Sequence, residues 1–103
     1  MADYNFERDC RTPYSESYYI EGANDERLGR VDIHYTPTVV YATLNVNEGV
    51  SQEEIQNLIE VIDEQLVMSA DVLRDDFVVT VYQGREVGVF SDEDLEEEEE
   101  EAQ

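Results

Sequence analysis

The sequence predicts an α+β fold. A mainly antiparallel sheet of four to five strands, in the order β-β-β-α-β-β, carries one amphipathic helix on one face. Three observations predict it. Ser51–Met68 places apolar residues at helical spacing. Leu28–Thr36 and Val39–Asn47 flank a proline and alternate as strands do. Phe77–Gln83 and Glu86–Ser91 are rich in β-branched and aromatic residues around a Gly84-Arg85 turn.

Residues 1–16 are polar, with scattered aromatics at Tyr4, Phe6 and Tyr14, and read as an irregular arm. Those aromatics give the arm a means of docking on the domain; simple disorder is the competing reading. The folded domain spans residues 17–91. Ser17–Gly22 is its first short strand, rich in Tyr and Ile. Ala23–Arg27 is turn material.

Leu28–Thr36 then points Val31, Ile33 and Tyr35 to one side and Arg30, Asp32 and His34 to the other. Pro37 lacks an amide for a ladder and breaks the run. Val39–Asn47 resumes it, so the two strands are expected to form a hairpin with a loop of four residues. Ile33 opposite Val40 and Val31 opposite Ala42 is the expected register. It gathers Val31, Ile33, Val40, Ala42, Leu44 and Val46 on one face.

The helix begins with the pattern Ser51-x-x-Glu54, a capping box. Val50 and Ile55 are placed as a hydrophobic staple. Ile55, Leu58, Ile59, Ile62 and Leu66 form the apolar stripe, with Val61 and Met68 on its shoulder. Glu60, Asp63 and Glu64 fall in the later turns, where the helix dipole favours cations. At low salt each like-charged pair there costs a few tenths of a kcal/mol.

Ser69–Asp76 is a connector, and a parallel crossover through it would be right-handed. Phe77, Val79, Val81, Val87 and Val89 are expected under the helix. The tail, residues 92–103, is a run of carboxylates with little to bury and reads as disordered.

Charge is the dominant compositional fact. The chain has 27 acidic residues against 6 basic ones, a formal net charge of -21. Every basic residue is Arg. Lys, usually common, is absent. The pattern resembles proteins of salt-loving archaea as a class. In molar salt the Debye length falls to about 3 Å and surface self-repulsion largely vanishes. An acidic mimic of nucleic acid, inhibiting a basic nucleic-acid-binding protein, would explain the acid but not the missing Lys.

Met1–Tyr14 has no apolar run of the kind a signal peptide needs, and no stretch has the length of a membrane span. The expected location is cytoplasmic. Cys10 is the lone cysteine and His34 the lone histidine, and neither sits in a ligand or nucleophile spacing. No phosphate loop, dinucleotide fingerprint or zinc spacing occurs. Asp92, Glu93 and Asp94 lack the glycine-centred spacing of a calcium loop. No catalytic residue, metal or cofactor is therefore expected.

One helix covers one side of a sheet. The other side is expected to carry Val39, Tyr41, Thr43, Val78, Thr80, Tyr82 and Phe90 as an interaction face. The leading expectation is a non-catalytic association module forming a homodimer, the commonest oligomer. The aromatics of this face suggest a base-stacking platform, but such platforms need cations to track phosphates. Scattered Arg and no Lys argue against direct nucleic-acid binding.

Overall fold

The computed structural model describes residues 4–68 and 75–93. The fold is α+β, with a single mixed sheet of five strands in the order β1-β2-β3-β4-β5. β1 is Asn5–Thr12, β2 Ser15–Glu21, β3 Arg27–Tyr35, β4 Val39–Val46 and β5 Asp76–Gln83. The helix α1, Gln52–Ile62, lies in sequence between β4 and β5. The first four strands are antiparallel to their neighbours, while β5 runs parallel to β4.

The element order is thus β-β-β-β-α-β, and two expectations are corrected. Residues 5–12 of the expected arm are a strand. Its alternation is hidden because β1 is an edge and places charge on both faces. Phe6 and, just before the strand, Tyr4 pack against the core. The second correction is Glu86–Ser91, which is not a strand. The Gly84 amide donates to the Val46 carbonyl at 2.8 Å, extending the parallel ladder. The chain leaves β5 toward β4 instead of doubling back, so Val87 and Val89 stay exposed and outside the core. Most of the expected tail, residues 94–103, and most of the connector, residues 69–74, lie outside the described residues.

The hairpin of β3 and β4 keeps the expected faces in a different register. Ile33 pairs with Ala42 and Val31 with Leu44. The shift is two residues, which preserves the side each residue faces. Thr36 closes the turn. Its hydroxyl donates to the Val39 carbonyl at 2.7 Å, and the Val39 amide donates back to that hydroxyl at 3.0 Å.

Val31, Ile33, Val40, Ala42, Leu44 and Val46 are all buried, together with Ile20 and Leu28. Leu58, Ile62 and Val67 meet them from above. The helix starts as its cap requires: the Glu54 amide donates to Ser51 Oγ at 3.1 Å. Val50 is buried and Ile55 half-buried beside it. After Ile62 the helix widens into a π turn, Asp63–Val67. A π turn holds an extra residue and rotates the following side chains. Val67 rather than Leu66 is therefore the fully buried residue of the last turn, and Met68 faces solvent.

Candidate association surface

The sheet side away from α1 has two halves of different chemistry. On β1, β2 and β3 it is polar and internally satisfied. Ser17 Oγ donates to Asp32 Oδ1 at 2.6 Å, and Arg30 Nε donates to the same oxygen at 3.2 Å. Arg30 Nη1 lies 3.2 Å from Asp9 Oδ2. Burial opposes the Arg30 charge, but the hydrogen bond and charge of Asp32, together with Tyr19 and Asp9, outweigh it and raise its pKa. The guanidinium carbons of Arg27 and Arg30 lie 4.1 and 5.1 Å from the centre of the Tyr19 ring. Ser17, Arg30, Asp9 and Asp32 satisfy one another, while Arg27 meets the Tyr19 ring and no described carboxylate.

On β4 and β5 the same side is apolar and open. Parallel pairing sets Tyr41 beside Val78, Thr43 beside Thr80, and Asn45 beside Tyr82. Tyr41 is 47% exposed and Tyr82 58% exposed, so each residue is left about half open to solvent. Val39 pairs with Asp76 at the start of the ladder. The structure therefore brings Val39, Tyr41, Thr43, Val78, Thr80 and Tyr82 onto one face. Phe90 lies beyond the last strand, with Gly88 beside its ring.

The edges of the sheet differ as sharply. Open strand edges invite pairing with other chains, and proteins block them with bulges and charge. β1 does both: its register shifts between Arg8 and Cys10, and it carries Glu7, Arg8, Asp9 and Arg11. β5 reads DFVVTVYQ, keeps an unbroken register against β4, and among the described residues has no strand paired to its other edge. Beyond it Val87 is 93% and Val89 75% exposed.

A third cluster lies on the helix side, where α1 does not reach. Glu16 accepts a hydrogen bond from the Tyr35 hydroxyl at 3.1 Å. Arg8 and Arg11 each approach the same carboxylate to 3.7 Å. Burial, then the Glu16 charge, raises the pKa of Tyr35, and Tyr18 shifts in the same direction for the same reasons. Tyr18 also meets Phe6 edge to face, with ring centroids 6.5 Å apart. The Tyr4 hydroxyl is buried; burial, then the Glu54 charge, raises its pKa.

His34 and Cys10 are both exposed, on different strands, with His34 opposite Tyr41. Among the described residues no three His, Cys, Asp or Glu side chains gather as a metal site. Asp94, a member of the acidic trio considered from sequence, lies outside the described residues. No helix of the described residues is long and apolar enough to cross a membrane. The chain matches no family model, no curated protein and no solved structure.

Sequence reasoning missed the Glu16 cluster and the Asp9–Arg30–Asp32 network. Arg30 and Asp32, two residues apart on an alternating strand, signal a shared face. Ser17 becomes their partner through the pairing of β2 with β3, and Asp9 could only be placed once β1 was known to be a strand.

Proposed function

We propose that the protein is a non-catalytic association module that pairs with a second copy of itself through β5. The observation that carries this reading is the contrast between the edges. β1 is bulged and charged, whereas β5 keeps an unbroken register and carries no charge after Asp76, and the side it shares with β4 exposes Tyr41 and Val78. A two-fold axis beside β5 would bring two such edges together and cover both. The acidity fits a cytoplasm rich in salt, where screening lets two highly negative copies approach.

Sedimentation equilibrium in molar KCl tests it. The expected result is a dimer, with Val78→Lys weakening association about thirtyfold, the scale of an interface hot spot. Glu7→Lys on the opposite edge should leave the dimer unchanged. A monomer at millimolar concentration overturns the reading. A complex with a basic nucleic-acid-binding protein, formed at low KCl and lost in molar KCl, would replace it with the acidic-mimic reading.

A further inference from the structure

On the side away from α1, at the end of the sheet where β4 finishes, lies a cleft of about 350 Å³. That is within the size range of small-molecule sites. Its walls include Arg27, Arg30 and Arg85, with Tyr19, Tyr82 and Asn45. Across the whole chain carboxylates outnumber guanidiniums 27 to 6. Around this cleft the balance is inverted, with Glu86 the only carboxylate among the described lining residues.

The three arginines are not equivalent. Arg30 is committed to Asp9 and Asp32. Neither Arg27 nor Arg85 makes an ion pair with a described residue. Among the described residues the Arg27 guanidinium meets only the Tyr19 ring, at 4.1 Å, and no described carboxylate pairs with either guanidinium at this concave place. The walls are held firmly. Gln83 Nε2 donates to the Val50 carbonyl at 2.7 Å and ties the β4–α1 loop to β5. Asn47 Nδ2 donates to the Arg27 carbonyl and fixes the start of β3. The Tyr82 ring, 58% exposed, offers a flat apolar surface on the same wall.

We propose that this cleft binds a mononucleotide-sized ligand, its phosphate paired with Arg27 and Arg85 and its flat base lying on Tyr82. Guanidinium groups match phosphate oxygens in a two-pronged geometry that a chloride ion cannot reproduce. The net charge of the chain does not prevent binding in brine. With a Debye length of about 3 Å, a phosphate responds to the groups it touches and not to distant carboxylates. Base stacking on an aromatic ring is insensitive to salt by comparison. Tyr82 and Gln83 of the cleft lining belong to β5, so the cleft adjoins the proposed pairing edge, whereas Tyr41 and Val78 lie outside its lining; the titration reads ligand binding whether or not the chain dimerises.

The test is an amide chemical-shift titration of the full chain in molar KCl, with adenosine 5′-monophosphate as probe and adenosine as control. The monophosphate should give saturable shifts centred on Gly29, Asn45 and Gly84, and adenosine should give none at equal concentration. Arg27→Gln and Arg85→Gln should each weaken binding about tenfold, the scale of one charge-assisted hydrogen bond. The same spectra report whether each variant is folded, and Arg27→Lys, which keeps the charge, should recover part of the loss. Absence of localised shifts at millimolar monophosphate overturns the proposal. So does equal binding of adenosine, or unweakened binding by both folded Gln variants.

Discussion

β4 shows both sides of the sheet in one strand. Leu44 and Val46 point under α1 and are fully buried, whereas Tyr41 and Asn45 point away and are exposed. The strand is equally well paired for both sets, to β3 on one side and β5 on the other. What separates them is the layer above. The covered side removes whole side chains from water, worth about 1.5–3 kcal/mol for each large aliphatic one. The open side contributes little to holding the monomer together, which frees its residues for contact with other molecules.

The sharpest way to break this comparison is to truncate one residue on each side of β4. Leu44→Ala should destabilise the protein by about 2–5 kcal/mol, since a fully buried leucine leaves a cavity among Val31, Leu58 and Ile62. Tyr41→Ala should stay within about 0.5 kcal/mol in the dilute monomer. Urea unfolding in molar KCl measures both. Equal effects would mean that the open side is part of the core.

Much of the covered side was legible in the sequence, and the reason is periodicity. Strict alternation assigned Val31, Ile33, Val40, Ala42, Leu44 and Val46 to one face even though the register was off by two residues. A capping box and an apolar stripe located the helix. The failures came where period carries no information. β1 mixes charges and aromatics because an edge strand is selected for protection as well as burial. Glu86–Ser91 alternates well, yet the Gly84 amide bonds to β4 and the residues that follow form no strand. The π turn makes Val67 the fully buried residue of the last turn while Leu66 packs against the core partly buried, an addition that no 3.6-residue pattern reveals. The open face was legible on β4 and β5, while its arginine cleft depends on bringing residues 19, 27, 30 and 85 together through tertiary structure.

The cleft end of the open side sharpens the comparison further, because it is shaped by backbone as well as side chains. A Cβ at Gly29 would overlap the Asn45 carbonyl oxygen and come within 3.0 Å of the Val46 Cα. Only glycine lets β3 and β4 approach so closely there. Gly29→Ala should therefore cost about 1–3 kcal/mol, the scale of overpacking, despite adding a single methyl group to a half-exposed position. Urea unfolding again reads the loss. An unchanged midpoint would show that the two strands separate easily at that end.

The smallest effect tests the rim of the covered side, where burial gives way to hydrogen bonding. Tyr35→Phe removes the hydroxyl that donates to Glu16 and should cost about 1 kcal/mol near neutral pH. It should also change the alkaline limb of stability. The folded protein raises the Tyr35 pKa above its ordinary value of 10.0, through burial and then the Glu16 charge. Unfolded Tyr35 loses its proton near that ordinary value while the folded residue still holds it. The unfolded state then binds fewer protons, so stability is full below pH about 10 and falls as pH rises through the folded pKa. Tyr18 is raised in the same sense and adds to the decline. Urea midpoints measured from about pH 8 upward should therefore fall more gently in Tyr35→Phe than in the parent chain, with the remaining slope due in part to Tyr18. Parallel curves would mean that the phenol is as easily ionised in the fold as outside it, and that the rim is wetter than its geometry implies.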